Sequence, residues 1–557
     1  MGSELGITAE SKAKLDLSPV SIWWAVWACV WTTAVVAGIV YLIIHRNMPI
    51  LRIRGLPLSL SAIVFLHLYW TPVQFGTMIG SLMPGDTQFW LMGTWFPCGI
   101  ALFHASNSRF LHVAKLQKRY AQHGYRLMDS SPKLKRKNGL INRFHSLKYT
   151  TKILILVFLS VLTYLISRKW HSSWGIPGTE VHGAKMAQLA AEGQGWEWCP
   201  SVIWQFFWSW VVAPVVLWKS RNIHDTQGWR TQTICCAISN LHATPMWLIA
   251  LYVPGMEPVN KYWIPPQWIC LSIIFLEIFT VFLPCWEVMR HQSLRQETLD
   301  SIARWESKAK DSKSENKSLN SESTMVESMM SGWKSTNESV QTNASRDSIL
   351  TMSALEYVLE RNPTPLQEFS ALREFSGENI AFLTSVAEWK SSLPAVMHDS
   401  TAPRDGNLKD LVRRSFNQAL HIYAEFISVR HAEFPVNISS HDLKNLEDIF
   451  ERPARLIYGE EREADPVSPF DKFTFEPPSP TSSESSEKPI KSSMNDAIKD
   501  RVLYWGEIPE EFSATVFADA EASIKYLVLT NTWPKFIRDR RTSIDSFETL
   551  KGGMEIV

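Results

Sequence analysis

Ionisable side chains inside long apolar runs are the first candidates for chemistry. Glu277 sits near the middle of one such run, and His67 and His242 lie within two others. A charge in hydrocarbon is costly, so such groups face one another or a water-filled cavity. The three residues are therefore candidates for a buried polar cluster or for the lining of a small-ligand cavity. The structural alternative is a hydrogen-bond network with no ligand. Covalent and metal chemistry have less to draw on. All seven cysteines (Cys29, Cys98, Cys199, Cys235, Cys236, Cys270, Cys285) precede residue 291. The second half therefore holds no disulfide framework, no Cys-ligated zinc module and no Cys nucleophile. Neither G-x-x-x-x-G-K-[ST] nor H-R-D-x-x-x-x-N occurs, which argues against a nucleotide-binding enzyme or a kinase. No metal and no cofactor are expected.

The elements that must position these residues are long apolar segments. A bilayer-spanning helix needs roughly 20 predominantly apolar residues. Seven runs meet or approach this: 20–44, 56–79, 87–108, 153–166 with its flanks, 200–218, 232–253 and 264–288. The first contains W-W-A-V-W-A-C-V-W and has no basic stretch ahead of it, so it reads as a retained span rather than a cleaved signal. One such run is compatible with a buried helix of a soluble protein; seven are not. Trp23, Trp90, Trp198, Trp263 and Trp286 lie near run ends, where interfacial anchoring is the expected role.

Orientation follows from basic residues in the short connections. The connections 45–55, 109–152 and 219–231 carry 18 Lys and Arg, against 6 in 1–19, 80–86, 167–199 and 254–263. The positive-inside rule then puts the N-terminal 1–19 outside and the long C-terminal half in the cytoplasm of a multi-pass protein, with the plasma membrane as the expected location. The third connection holds K-L-K-R-K at 133–137. It has the charge to meet anionic membrane lipids or an acidic partner; a solvated positive-inside loop is the plainer reading. The whole chain has 56 basic and 55 acidic residues, a balance that argues against a nucleic-acid binder.

At 557 residues the chain has room for roughly three or four units. After the apolar domain at 20–290, the segment 291–350 is Ser-rich and charged and reads as a disordered linker. Helical spacing resumes at Leu355 and Val358 and continues through Phe369, Leu372 and Phe375, then Ile380, Leu383 and Ala387. A long helix follows from Leu408 to Ile427, with Asn407 as its N-cap. Leu443, Leu446, Ile449 and Phe450 mark another, and Phe517 to Val528 a late one, with Pro534 suiting the first turn of a further short helix. No strand pattern appears. The expected fold is all-α: a seven-helix membrane bundle, then a soluble helical bundle at 351–540 with a disordered insertion near 459–496 and a tail at 541–557.

Four segments occur in order within that soluble unit: F-S-G-E-N-I-A-F-L at 375–383, I-Y-A-E-F-I at 422–427, V-N-I at 436–438 and I-K-Y-L-V-L-T-N-T-W-P-K-F at 524–536. Together they resemble a regulator of G-protein signalling (RGS) domain. Seven spans followed by such a domain resemble the hybrid membrane RGS proteins of fungi and plants, by count and topology of the spans rather than by motif. The resemblance implies that the partner is the Gα subunit of a heterotrimeric G protein, and that the chain is not itself an enzyme but a GTPase activator. Such domains hold the Gα switch segments in the shape they adopt as the γ-phosphate leaves.

In the family pattern Glu378 and Asn379 fall where the first contact loop touches the switches, and Ser376 opens that loop. Asn437 falls where an Asn reaches the Gα glutamine that orients the attacking water, with Ser440 beside it. Leu527, Asn531 and Lys535 fall on the last contact surface. Each has a plainer reading. Ser376 caps the helix beginning at Gly377, Glu378 favours a first turn on dipole grounds, Asn437 closes a turn, and Leu527 is core. Many family members carry Asp where this chain has Asn531 and Arg where it has Lys535. Asn keeps an acceptor without the full charge, and Lys lacks the planar fork, so the strength of activation or the choice of Gα is affected.

Two other classes compete. One is a receptor-like ligand sensor in which the RGS-like unit is a built-in brake or scaffold. Against a rhodopsin-like receptor, A-S-N-S-R-F stands where a D-R-Y-type triplet belongs, and N-P-x-x-Y is absent from the seventh run. The other is a transporter, but runs one to three do not recur in five to seven.

Overall fold

The structure, a computed structural model, describes residues 5, 7, 12–121, 149–170, 174–193, 195–312, 350–394, 406–459 and 503–540. The described secondary structure is helical, with no strand among those residues. They form two compact units. The first draws on Met1–Val113 and Arg136–Met289, the second on Ala114–Lys135, Arg290–Glu463 and Phe475–Val557. The K-L-K-R-K cluster, the insertion from 460 onward and the tail from 541 lie outside the described residues.

In the first unit, helix α1 spans Pro19–Ile44. Pro19 stands at its first position, and Ser18 Oγ accepts from the Ser21 amide at 3.4 Å. Both are standard ways to start a helix whose first amides lack partners. Ile22, Trp23, Val26, Val30, Val36 and Val40 on α1 are all exposed. A helix apolar on its outer face as well as its inner one suits lipid rather than water. Helix α2 is Leu56–Gln74, α3 Phe96–Tyr120 and α4 Tyr149–Ile166. Helix α5 (Cys199–Phe206) passes through a π-helical turn at Phe207–Val212 into α6 (Ala213–Ser220). Helices α7 (Trp229–Asn240) and α8 (Ala243–Tyr252) meet at a turn, and α9 (Pro266–Glu277) leads through a π turn at Ile278–Phe282 into α10, Leu283–Ser312.

Among the described residues five helices are long and apolar enough to cross a membrane: Pro19–Ile44, Leu56–Gln74, Lys185–Ser220, Trp229–Tyr252 and Pro266–Asp300. Ile153–Ile166 is a shorter apolar one. Three expectations are corrected here. The third apolar run does not end at 108, because α3 continues to Tyr120. Phe110, Val113, Gln117 and Tyr120 supply a buried stripe at helical spacing that keeps it wound. Residues 291–312 are helical rather than the start of a linker. His291 and Thr298 are buried at a spacing of two turns, and no Gly or Pro falls within 291–312. The remaining linker, 313–349, lies outside the described residues. Trp198 is not an interface anchor: it is 6 % exposed and packs on Phe89 with ring centroids 5.2 Å apart.

The second unit is built on α11 (Met352–Arg361), α12 (Thr364–Phe369), α13 (Gly377–Ser391), α14 (Gly406–Ile422), α15 (Ser440–Tyr458) and α16 (Ala518–Leu527). π turns extend α12 through Ser370–Glu374, α14 through Tyr423–Ile427 and α16 through Val528–Thr532. Its core is a set of fully buried rings. Phe416 stacks on Phe450 at 5.5 Å, and Phe450 on Phe517 at 5.7 Å. Burial of each such side chain stabilises by roughly 1.5–3 kcal/mol. Helix α14 begins at Gly406, one residue before Asn407. No separate helix starts at Pro534. Residues 533–540 continue the helix directly from the π turn, where the widened register tolerates the missing proline N–H. Leu372 is 43 % exposed rather than core, because the π turn rotates it off the buried stripe.

Candidate functional site

Two constellations stand out, one in each unit. In the first, Glu277 is fully buried. Its Oε1 lies 2.7 Å from His67 Nδ1, and its Oε2 accepts from the Trp31 indole N–H. His67 Nε2 lies 3.0 Å from Thr32 Oγ1, and the imidazole stacks on Trp70 at 5.2 Å. With Nδ1 donating to the carboxylate, Nε2 accepts from the Thr32 hydroxyl. Helices α1, α2 and α9 are thereby tied by one network, and every carboxylate oxygen in it has a partner. The π turn at Ile278–Phe282 begins at the next residue. There α1 approaches closely, since a Cβ on Gly38 would sit 2.6 Å from Val281 Cγ1. His242 does not join this network. It lies at the α7–α8 turn, 3.5 Å from Ser272 Oγ.

Sequence reasoning missed two members of this network, Trp31 and Thr32, because neither titrates. It also missed Arg54, which is buried and donates from Nη1 to Gln232 Oε1 at 3.0 Å and from Nη2 to the Gln227 carbonyl. Nearby, Asp225 accepts from the Trp229 and Arg230 amides at 2.6 and 3.0 Å and so caps α7. A single Arg in a basic connection carries no sequence signal of burial.

In the second unit, the chain leaves the π turn at Ser370–Glu374 through Phe375, which has φ 51°. It is the one non-glycine with positive φ among the described residues. The left-handed region costs an L residue roughly 1–2 kcal/mol. The Phe375 ring, 1 % exposed, holds it there. The kink turns the chain abruptly into α13. Ser370 Oγ donates to the Ser376 carbonyl at 2.7 Å, and the Ser376 amide donates to the Ser370 carbonyl at 3.0 Å. Ser376 heads α13 without a side-chain cap, so the capping role its type suggests is not used. The Gly377 amide donates instead to Gln117 Oε1 at 3.0 Å, and Gln117 Nε2 donates to Glu378 Oε2 at 2.8 Å.

Glu378 and Asn379 are 8 % and 7 % exposed. Lys535 Nζ pairs with Glu374 Oε2 at 2.8 Å, which joins the 533–540 helix to the turn that precedes this loop. Asn531 lies in the π turn Val528–Thr532, and His291 sits beside it and Lys535. Asn379 Oδ1 is a buried acceptor without a hydrogen-bond partner among the described residues, whereas Asn531 meets the His291 side chain. Leu527 is half-buried against the core. Asn437 is exposed in the extended segment ahead of α15, whose cap is Ser439, accepting from the Asp442 amide at 3.1 Å. Ser440 is the exposed first residue of α15. Ser523 of α16 donates to Asp442 Oδ2 at 3.4 Å, tying this segment to the helix that leads to Asn531.

The Lys535–Glu374 pair thus joins the 533–540 helix to the turn ahead of Ser376, Glu378 and Asn379, and the Ser523–Asp442 hydrogen bond joins α16 to the start of α15 beside Ser440. Among the described residues no group of His, Cys, Asp and Glu is arranged to hold a metal ion. No family model, no curated protein and no solved structure matches this chain.

Proposed function

We propose that the chain is a seven-span membrane protein whose second unit is an RGS-type domain that accelerates GTP hydrolysis by a Gα subunit. The five long apolar helices support the membrane reading, with α3 and α4 making up the seven. The observation that carries the functional reading is the face around Phe375 and Val528–Thr532. A backbone held in a costly conformation and a buried, unmatched acceptor, Asn379 Oδ1, stand on the same loop as residues that resemble the family's contact set. Buried polar groups are normally satisfied, and strained backbone gathers at binding surfaces. Asn379 Oδ1 is suited to receive an amide donor from a partner loop. Pinning the Gα switches lowers the barrier without contributing a reacting group, because the partner is bound more tightly in its transition-state shape.

Single-turnover GTP hydrolysis by candidate Gα subunits, with and without the chain, tests the proposal. Acceleration that is lost in Asn379→Ala supports it; hydrolysis left unchanged across Gα classes by the chain and by its Gln117→Ala variant alike rejects it. A ligand-sensing role for the membrane unit is the second reading. The buried Glu277–His67–Trp31 network favours it, because a charge is retained there at a cost.

A further inference from the structure

The face proposed to receive Gα already has an occupant from the same chain. Residues 114–121 at the end of α3 and the early part of α10 from Arg290 belong to the second unit. Gln117 is 0 % exposed and makes a paired contact with α13, accepting from the Gly377 amide and donating to the Glu378 carboxylate. This satisfies a helix-start amide that would otherwise be available to a partner. Tyr120 is 4 % exposed, and a Cβ added to Gly377 would lie 2.8 Å from Tyr120 Cβ. Its ring reaches Phe426 of the core at 6.5 Å. Around the other loop end, buried His291 lies beside Asn531 and Lys535, Thr298 is buried, and Ile302 packs on the core. Gly377 and Glu378 are thus covered in part by a segment outside the 351–540 bundle.

We infer that the ends of α3 and α10 act as an intramolecular partner that competes with Gα for this face, so that the full chain is self-inhibited. The inference rests on the proposed function. Both segments continue helices that begin in the first unit, α3 from Phe96 and α10 from the turn that follows Glu277. Withdrawal of the α3 end would free Gly377 and Glu378, and withdrawal of the α10 start would free Asn531. The occupant binds through groups a foreign loop would use, a helix-start amide and a carboxylate, so it is a competitor rather than a distant clamp.

The test uses the full chain in lipid nanodiscs and two variants. Gln117→Ala removes both hydrogen bonds. Gln117→Glu keeps the size, loses the donor and sets a carboxylate against Glu378. Two readings are taken: amide hydrogen exchange over 375–381, and single-turnover GTP hydrolysis by Gα. Removal of two hydrogen bonds of ordinary strength should raise exchange at Gly377 by roughly tenfold or more. The acceleration of hydrolysis should rise by a similar factor in both variants; both leave Glu378 without its donor and should melt somewhat lower, so both readings are taken well below the lower melting temperature. Exchange that stays at the wild-type rate overturns the docking. Faster exchange with wild-type acceleration overturns the competition, because the face was open to Gα already. Faster exchange with no Gα accelerated by any form overturns the proposed function and the competition with it, and is told from the other failures by the exchange result.

Discussion

At the scale of single residues, Asn437 gives the sharpest separation of folding from function. Its side chain is exposed and precedes the cap of α15 instead of serving as it. Asn437→Ala should therefore change the stability of the second unit by about 0.5 kcal/mol or less, as is usual for surface sites. Under the proposed function it should remove roughly 2–4 kcal/mol of barrier lowering, since an orienting hydrogen bond at a reacting centre is worth that much. Thermal unfolding and single-turnover hydrolysis, measured on the same preparations, decide the matter. Full acceleration by the variant would reject the role, and a collapsed melting temperature would return Asn437 to turn closure. Glu277 has the opposite profile. Its two oxygens hold His67 and Trp31, so Glu277→Leu leaves two buried donors without a partner. Breaking one side of a buried pair costs roughly 3–5 kcal/mol. Glu277→Leu should melt well below wild type in nanodiscs, with Glu277→Gln in between, because the amide still accepts from one donor. Equal melting of all three would show that the network contributes nothing to stability.

What could be read from the sequence differs between these two residues for physical reasons. A carboxylate in an apolar run is conspicuous, and His67 beside it could be guessed. Trp31 and Thr32 could not be singled out, because neutral polar groups in a run give no sign of which neighbour they meet. His242 was grouped with them on type alone, yet it sits at a helix break and meets Ser272 of α9 instead of Glu277. The left-handed Phe375 was also invisible, since that conformation is expected of Gly or Asn and is imposed here by packing.

At the scale of elements, the sequence was most legible where a period was strong and least where a helix changed its winding. The π turns at Ser370–Glu374, Tyr423–Ile427 and Val528–Thr532 keep helical composition while shifting the register. Periodicity therefore gave the helices but misplaced Leu372 and the start supposed at Pro534. Between α13 and α16 the tie is electrostatic as well as apolar. Glu521 accepts from Lys390 and pairs with Lys525 at 3.1 Å, and Lys525 also reaches Glu356 at 3.1 Å. Burial pushes the Glu521 carboxyl up, but the hydrogen bonds from Lys390 and Lys525 outweigh it and leave the group below its ordinary value. A depressed carboxyl stabilises the fold above its unfolded value, near 4.5. That contribution fades as pH falls through the lower folded value. For partly exposed pairs it is about 0.5–1 kcal/mol. Lowering the pH from 6 toward 3 should cost the wild type that increment more than Glu521→Gln, as measured by urea unfolding at each pH. Parallel losses in the two proteins would remove Glu521 from the account of acid sensitivity.

At the scale of the whole molecule, the division into an apolar half and a polar half was plain from composition, but the boundary between the two compact units was not. It falls inside α3 and inside α10, where continuous helices carry residues of both units. The side of the membrane proposed for the second unit rests on charge. The connections 45–55, 109–152 and 219–231 hold 18 basic residues, against 6 in the alternating set. Each added Lys or Arg near a membrane end biases retention on the cytoplasmic side. Under the proposed seven-span reading, the odd number of spans is expected to put 1–19 outside and the second unit inside, on the side of the proposed Gα partner. A C-terminal tag should resist protease in intact cells and be cleaved in inside-out vesicles, whereas an N-terminal tag should behave in the reverse way. Moving basic residues tests the cause. Replacement of Lys133, Lys135, Arg136 and Lys137 by Gln should reduce the fraction of chains in this orientation, because it removes four of the 18. A C-terminal tag that is cleaved in intact cells would invert the topology and leave the second unit without access to any cytoplasmic G protein.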